Sequence, residues 1–369
     1  INMKNLHEIK NEFAIYLHFF SNILKKKKIN LIILHSLPHQ GPDYIIYILA
    51  KHFKIKIIMF YQTLFSNKFF ILNDLQDFGK FEKIKNKVFL NKTKRYSFKQ
   101  LKSSEIERYK DMVRSIHTLN LNNSKRKTKL SHIIKKPIRN LLLKNKIINR
   151  IDYSKKYLSN LKNLVYKKNI NILLKQKFVY FPLHDQPELT TSTLGGIYED
   201  QVYALEKLRT LIDDNCNIIV KEHQFQGSFQ RDDLFFKRLK KIKNLYMLPI
   251  DYPSHDLIKK CFFCSTIVGT SGWEALLEKK KSLVFGKAWY QKIDGCITYS
   301  DELNKNKLKK LLKVKFSERT FCNSYFKLRN KMFDGVIAPN YLYLVKNINY
   351  KKNSKNITEQ LVNLLKNSK

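Results

Sequence analysis

Short apolar runs alternate with amphipathic stretches between residues 177 and 285, and this alternation constrains the fold more than any other feature. Buried parallel strands are continuously apolar, while the helices that cross between them are apolar on one face only. Alternation at this spacing predicts right-handed crossovers and a parallel sheet. The predicted strands are 177–183, 216–221, 244–248, 262–268 and 281–285, and the predicted helices are 198–212, 231–241, 254–260 and 272–279.

A shorter α/β pattern precedes this region. Apolar runs at 30–36 and 55–60 predict two strands, and a helix over about 43–53 lies between them, with Pro42 in its first turn. With 369 residues, 43% of them hydrophobic, the chain is long enough for two cores. We therefore predict three parts, which are an N-terminal domain over 1–170, a C-terminal domain over 171–300 and a helical tail over 301–369.

The chain carries a formal net charge of +41, and only 11 of its 71 basic residues are Arg. Proteins that read nucleic acids favour Arg, because its planar guanidinium matches phosphates and base edges. No helix-turn-helix, RNP or zinc pattern is present, so specific nucleic-acid binding is not predicted. Lysine excess beside many Asn and Ile residues is typical of an AT-rich genome. The alternative is an anionic partner, either the inner membrane surface or a lipid-phosphate acceptor.

The charge is densest at 121–150, inside a polar, Lys-rich stretch over 98–176 that favours helix. The stretch 121–150, called the basic middle segment below, contains ten basic residues and no acid. Such a run is usually a solvated face, and the functional alternative is a surface that faces a membrane or an acceptor. The ten residues are Lys125, Arg126, Lys127, Lys129, Lys135, Lys136, Arg139, Lys144, Lys146 and Arg150.

Cysteine spacing and hydropathy indicate the cellular compartment. Of five cysteines only Cys261 and Cys264 have the spacing of metal ligands, and no second pair completes a four-ligand set. They lie in an apolar run, which predicts structural thiols in a reducing compartment. No apolar run approaches 18 residues and no signal-peptide pattern opens the chain, so we expect a cytoplasmic protein.

The first polar motif follows the predicted strand 177–183. It contains His184-Asp185-Gln186-Pro187-Glu188 and then Gly195-Gly196. Ligands of parallel sheets bind at the carboxyl ends of the strands, so this density of polar residues predicts a site loop. Glu188 is expected at the carboxyl end of a strand, where a nucleophile or base is useful. The alternative is an ordinary surface glutamate.

The second motif, Lys221-Glu222-His223, follows the next predicted strand. A histidine at this position can donate a hydrogen bond to a phosphate, and Lys221 can neutralise the phosphate charge. The alternative is a solvated loop.

The third motif is Gly269-Thr270-Ser271-Gly272-Trp273-Glu274, after the predicted strand 262–268. Glycine allows close backbone approach, and the hydroxyls of Thr270 and Ser271 are expected to cap the following helix. The free N–H groups and dipole of that helix would then form an anion site. Glu274 is placed to accept from a ribose hydroxyl. The alternative is an ordinary capped helix.

Together these stretches resemble the bacterial capsule polysaccharide biosynthesis family, which includes the β-Kdo transferases of capsule assembly. The resemblance is carried in the second half of the chain by 180–191, 195–201, 221–223 and 269–275. In the first half, Pro38-His39-Gln40-Gly41-Pro42-Asp43 and the stretch 61–65 also resemble the family.

The resemblance implies a GT-B fold, in which two Rossmann-like domains face a cleft and the C-terminal one holds most of the nucleotide without a metal. His223 occupies the place of the family's His-Pro phosphate motif, although Gln224 replaces the proline. Glu188 falls where related enzymes carry a catalytic acid that is usually Asp. The implied catalytic residues are Glu188, His223, Asp43 and His39. The implied nucleotide-sugar ligands are Gln186, Gly195, Gly196, Lys221, Glu222, Gly269, Thr270, Ser271, Gly272 and Glu274.

The expected function is transfer of a sugar, such as Kdo or another acidic sugar from a CMP donor, onto a capsule or other surface polysaccharide. The expected partners are the nucleotide sugar and a glycan or glycolipid acceptor, and no separate cofactor is required. Peripheral contact with the anionic inner membrane is an open alternative. Two other functions stay open at this point. One is a non-catalytic partner in capsule assembly or export, and the other is an anion-binding protein that uses the basic middle segment.

Overall fold

The computed structural model describes residues 6–65, 67–82, 97–102, 154–227, 231–338 and 348–366. The basic middle segment lies outside these residues, so its helical character stays a prediction. The chain divides into two compact units, the first containing 1–119 with 322–369 and the second containing 120–321.

The first unit begins with a parallel β-α-β arrangement that confirms the predicted one. Strands β1 and β2 pair in parallel with Leu31 opposite Lys56, and helix α2 connects them. Pro42 lies in the first turn of α2, where its missing N–H has no intrahelical partner to lose. The elements up to this point are α1 (Leu6–Lys26), β1 (Leu31–Leu34), α2 (Gly41–His52), β2 (Lys56–Gln62) and β3 (Lys68–Leu72).

The second unit contains a six-stranded sheet in which every pair of neighbours is parallel. Its first five strands reproduce the predicted ones closely because each is a continuous apolar run bounded by polar residues, whereas the sixth, at the edge of the sheet, was not predicted. They are β4 (Phe178–Pro182), β5 (Asn217–Lys221), β6 (Leu245–Leu248), β7 (Phe263–Thr266), β8 (Ser282–Val284) and β9 (Cys296–Thr298).

Helices follow most strands of this sheet, as the predicted crossovers require. The apolar face of α5 buries Leu257 and Ile258 against Tyr180 and Ile219 of the sheet. The helices that begin between residues 201 and 321 are α3 (Gln201–Leu211), α4 (Asp233–Lys241), α5 (Ser254–Lys260), α6 (Thr270–Leu277), α7 (Lys305–Lys313) and α8 (Glu318–Arg329). The parallel, Rossmann-like character of this half is confirmed.

The strand order β6-β5-β4-β7-β8-β9 fixes where a ligand can bind. The chain builds outward from β4 to β6 in one direction, then returns to the other side of β4 with β7. Diverging loops leave a crevice at such a switch point, outside the carboxyl ends of the two strands. In this sheet the crevice lies between the loops that follow β4 and β7.

The C-terminal part of the chain returns to the first unit instead of forming a separate tail. Strand β10 (Phe333–Asp334) pairs antiparallel with β3, and helix α9 (Tyr350–Lys366) packs Ile357 and Leu361 against Ile58 and Phe69. The first sheet has the order β1-β2-β3-β10 and is mixed, with β1 and β2 as its parallel pair. Both units are α/β, which confirms the predicted class.

The cysteines agree with a structural role. Cys261 and Cys264 are fully buried in the core of the second unit, and burial raises the pKa of the Cys261 thiol to about 12. Within the described ranges, no group of three or more His, Cys, Asp or Glu side chains is arranged to hold a metal ion. None of the helices that the structure describes is long and apolar enough to cross a membrane.

Candidate functional site

His184 connects the two sides of the switch point. It follows β4 directly, and its Nε2 lies 2.7 Å from the hydroxyl of Thr266 at the end of β7. The side chain is buried, and this burial, with smaller electrostatic effects of His223 and Arg231, lowers the pKa of His184 to about 3. The imidazole is therefore neutral at physiological pH and serves as a hydrogen-bonding bridge.

Arg231 joins the loop after β4 to the loop after β5. Its guanidinium donates to both carboxylate oxygens of Glu222, at 3.0 and 3.2 Å. It also donates to the backbone carbonyl of His184 at 2.8 Å and to the amide oxygen of Gln186 at 2.6 Å. The ring of Phe235 lies 4.5 Å from the guanidinium carbon. The ion pair is almost completely buried, with the two side chains 0% and 1% exposed.

Two glutamines complete this network. Gln201 accepts from the backbone N–H of His184 at 2.7 Å and donates to Gln186 Oε1 at 2.8 Å. Gln226 accepts from the backbone N–H of Gln186 at 3.0 Å. The Gln186 side chain also donates to the carbonyl of Glu199. The contacts of Gln186 and Glu222 are thus with protein groups, and their direct contact with a nucleotide stays a prediction.

Glu188 does not lie at the end of a strand, contrary to the prediction. Strand β4 ends at Pro182, and Glu188 follows the cis Gln186–Pro187 bond at the start of the helical turn Leu189–Thr193. The reason is that the polar residues 184–188 form a loop held by the buried network and cannot extend the strand. One carboxylate oxygen of Glu188 accepts from the Thr190 hydroxyl at 3.3 Å.

The electrostatic surroundings of this loop raise the pKa of two carboxyl groups. Desolvation by the surrounding protein and the negative charge of Asp185 both raise the pKa of Glu188, and the residue is nevertheless exposed to solvent. Desolvation also raises the pKa of Asp185, while His223 and Arg231 oppose this shift. A carboxyl group whose pKa is raised toward neutrality is better matched to general acid or base work.

His223 and Lys221 lie at the adjacent strand end. The backbone N–H of Phe225 points at His223 Nδ1 across 3.4 Å, which assigns the ring proton to Nε2 and leaves that group as a donor. Burial lowers the pKa of His223, and the Asp185 and Glu222 carboxylates oppose the shift. Lys221 donates to the carbonyl of Tyr252 at 2.9 Å. Burial lowers its pKa, with Asp251 and Glu274 acting in the opposite direction.

Helix α6 presents its N-terminus at the same edge of the sheet. The helix begins at Thr270 and its N-cap is Gly269, with no side-chain capping bond, so the predicted capping by Thr270 and Ser271 is wrong. Both hydroxyl residues lie inside the first turn. Ser271 Oγ is buried and has no hydrogen-bond partner among the described residues, although the Cys264 thiol interacts with it weakly. The first N–H groups of a helix have no intrahelical acceptor and attract anions.

Close packing and backbone conformation explain why the motifs carry glycine at these positions. A Cβ at Gly269 would lie 2.9 Å from the His184 ring, and one at Gly272 would lie 2.1 Å from the Tyr290 hydroxyl. At Gly195 a Cβ would lie 2.3 Å from the carbonyl oxygen of Thr191, and Gly196 has a φ of +58°. These positions require glycine whether or not a nucleotide contacts them, so that contact stays a prediction.

His39 and Asp43, the other predicted catalytic residues, belong to the first unit. His39 Nδ1 bonds the carbonyl of Leu37 at 3.0 Å, and Asp43 lies in the first turn of α2. Elsewhere in this unit, Gln62 accepts from the backbone of Ile337 and Thr63 donates to the carbonyl of Lys68. The stretch 61–65 therefore supports the fold, and the catalytic roles of His39 and Asp43 stay predictions.

The structure adds five residues to the predicted set. His184 and Asp185 stand within the first motif and could have been selected from it. Gln201 ends the stretch 195–201 that carries the family resemblance. Arg231 and Gln226 lie in no motif, and their participation depends on contacts between segments far apart in the sequence.

Comparison with known proteins gives one clear sequence match. Residues 84–326 match the model of the family described as "Capsule polysaccharide biosynthesis protein". None of the curated proteins compared with the chain matches it.

Solved structures give weaker similarities. The KpsC β-Kdo 2,7 transferase of Thermosulfurimonas dismutans is 9% identical with a TM-score of 0.39, over 92% of this chain and 86% of that one. The MnaA–UDP co-structure of S. aureus is 12% identical with a TM-score of 0.29, over 94% and 83%. The UDP-GlcNAc 2-epimerase of Methanocaldococcus jannaschii is 12% identical with a TM-score of 0.31, over 89% and 82%. The family match is therefore the stronger finding.

Proposed function

This chain belongs to the capsule polysaccharide biosynthesis protein family, and we propose that it is a glycosyltransferase that moves a sugar from a nucleotide donor onto a surface polysaccharide. We further propose a CMP-linked acidic sugar such as Kdo as the donor and a growing glycan or glycolipid as the acceptor. The observation that carries the proposal is the convergence of three polar loops at the switch point, joined by the His184–Thr266 and Arg231–His184 bonds.

The donor phosphate would bind at the N-terminus of α6. The backbone N–H groups of its first turn, the Thr270 hydroxyl and the helix dipole all favour an anion. His223 would donate from Nε2, and the Lys221 ammonium would add positive charge to the same edge. These groups are the chain's own means of balancing the phosphate charge, and they support transfer without a metal ion.

Glu188 would act at the anomeric carbon of the donor sugar. In a retaining reaction its carboxylate attacks that carbon as the CMP phosphate departs with the electron pair of the broken C–O bond. The acceptor hydroxyl oxygen then displaces the carboxylate, and the departing phosphate accepts the hydroxyl proton. In an inverting reaction Glu188 takes the proton of the acceptor hydroxyl while the hydroxyl oxygen attacks the same carbon and the CMP phosphate departs with the electron pair of the broken C–O bond. The raised pKa of Glu188 suits the inverting role and is compatible with the retaining one.

The test is Glu188→Gln, which is nearly isosteric but uncharged. Release of CMP from CMP-Kdo should fall by about 10²- to 10⁴-fold, the usual contribution of a positioned acid or base, while the affinity for CMP changes little. Glu199→Gln is the matched control, since Glu199 is an exposed glutamate that follows the same loop.

Intact-protein mass spectrometry after mixing with CMP-Kdo would distinguish the two mechanisms, because only the retaining one leaves a sugar on the protein. A Glu188→Gln enzyme that turns over like the parent would remove Glu188 from the mechanism. His39 and Asp43 would then be the next residues to test.

A further inference from the structure

We infer that Arg231 is a positioning residue, which holds the loop after β4 against the loop after β5 and thereby fixes Glu188 relative to His223. The kinetic consequence of this inference rests on the proposed function, whereas the geometric consequence does not. No contact of Arg231 with substrate is involved.

The hydrogen bonds of Arg231 span two loops that are far apart in the sequence. Glu222 belongs to the loop after β5, and His184 and Gln186 belong to the loop after β4. A guanidinium presents its donors in a rigid planar fork, so one side chain can reach four acceptor oxygens on three residues in fixed relative positions. A lysine ammonium is a single point charge on a flexible stem and cannot reproduce that fork.

Stability alone does not account for this buried pair. Removing an arginine and a glutamate from water is costly, and apolar residues of similar volume often replace such a pair without loss of stability. The pair here differs from a simple ion pair because the arginine also binds a backbone carbonyl and a side-chain amide of the other loop. Linkage of the two loops is the property that an apolar pair would lack.

The remaining contacts show why the loop would shift, not unfold, without Arg231. The His184 carbonyl and Gln186 Oε1 each also accept a bond from Gln201, at 3.0 and 2.8 Å. The neutral Gln226 side chain still accepts a hydrogen bond from the backbone N–H of Gln186. These bonds keep the loop near the sheet, but the charged connection to Glu222 is lost. Glu188, two residues beyond Gln186, would then lose its fixed position.

The main experiment uses the paired variant Arg231→Met/Glu222→Leu, which removes both charges and leaves no unpaired carboxylate. Melting temperature, amide hydrogen exchange, CMP affinity and CMP release from CMP-Kdo are measured on the full chain. We expect a melting temperature near that of the parent and CMP affinity within about twofold. Exchange in peptides from 183–194 should be at least tenfold faster and turnover at least tenfold slower, with peptides from 263–277 unchanged.

The exchange measurement assigns the effect to Arg231. Among the described contacts Glu222 accepts hydrogen bonds from Arg231 and from the backbone N–H of His223. Removing the Glu222 carboxylate therefore breaks no direct bond to the loop after β4. Arg238→Met is the matched control. Arg238 also pairs with two carboxylates, of Asp200 and Glu206, but among the described contacts it bonds no residue of 183–194 or 222–227, and its loss is expected to leave exchange and turnover unchanged.

A second variant, Arg231→Lys, keeps the charge and removes the fork. We expect it to regain most of the melting temperature that Arg231→Met loses, while the 183–194 peptides still exchange rapidly and turnover stays low. Parent-like exchange in 183–194 in either the paired or the lysine variant would overturn the proposal. Failure of both variants to fold would also overturn it, since Arg231 would then be required for folding only. A parent protein that releases no CMP contradicts the proposed function, while the exchange comparison still tests Arg231.

Discussion

The two sides of the switch point fix their backbone by different interactions. On the β4–β5 side, which contains the loops after β4 and β5 with Arg231, buried charges and amides fix the backbone. On the β7 side, which contains 267–275 with Tyr290, close contacts at glycines fix it, since Gly269 and Gly272 pack against side chains without room for a Cβ. The β4–β5 side can hold titratable groups in set positions, and the β7 side can bring bare backbone N–H groups close to an anion.

The largest expected effect comes from removing one charge from the β4–β5 side. Arg231→Met leaves the Glu222 carboxylate buried without its partner, which should lower the free energy of unfolding by about 3–5 kcal/mol. Arg238→Met breaks a partly exposed pair and should cost about 1 kcal/mol or less. Urea unfolding of both variants checks this, and equal losses would remove the distinction between a buried network and an ordinary ion pair.

The β7 side should respond to volume instead of charge. Gly272→Ala places a methyl group 2.1 Å from the Tyr290 hydroxyl and 2.5 Å from Ser282 Oγ, so one of these buried side chains must move. Overpacking of this kind costs about 1–3 kcal/mol. Gly227→Ala is the control, because no described residue other than its chain neighbours has an atom within 4 Å of the new methyl group. Equal denaturation midpoints for Gly272→Ala and the parent would contradict close packing at this position.

The contact between the two sides should be visible as a pH dependence. His184 has a folded pKa lowered to about 3 against 6.5 for the free side chain. Between these values the unfolded chain binds more protons, so stability falls as the pH falls. From pH 7 to pH 5 the loss from this group is about 2 kcal/mol.

His184→Gln tests this, because glutamine does not titrate. Between pH 7 and pH 5 the parent should lose about 2 kcal/mol more unfolding free energy than the variant. The contributions of the other histidines are common to both proteins and cancel in this comparison. Identical pH profiles would mean that the His184 ring is protonated in the folded protein and does not bridge to Thr266 as a neutral group.

The sequence was sufficient for one kind of feature and insufficient for another. Strands β4 to β8 and helices α3 to α6 were predicted because each has its own apolar pattern, and the motif loops followed from the rule that parallel sheets bind at their carboxyl ends. The return of the chain to the first unit was not predicted. Strand β10 has two residues, Phe333 and Asp334, and so few residues carry no periodicity.

Arg231 illustrates the same limit within the site. In the sequence it is one basic residue among 71, and nothing in its neighbourhood separates it from a surface charge. Its role becomes visible only when Glu222, His184 and Gln186 are brought together by the strand order. The capping error at Thr270 has a simpler cause, because helix boundaries shift by a residue or two and Gly269 takes the N-cap position.

The central claim is that a nucleotide phosphate binds where the two sides meet, at the N-terminus of α6. Isothermal titration of CMP, with UDP and GDP for comparison, tests it on the parent, on Thr270→Ala/Ser271→Ala and on the control Thr210→Ala, an exposed hydroxyl of α3. Loss of hydrogen bonds to a charged group should weaken CMP binding by about 1–3 kcal/mol in the double variant, roughly 5- to 150-fold, and leave the control unchanged. Unchanged affinity in the double variant, or a parent that binds none of the three nucleotides, would contradict the account.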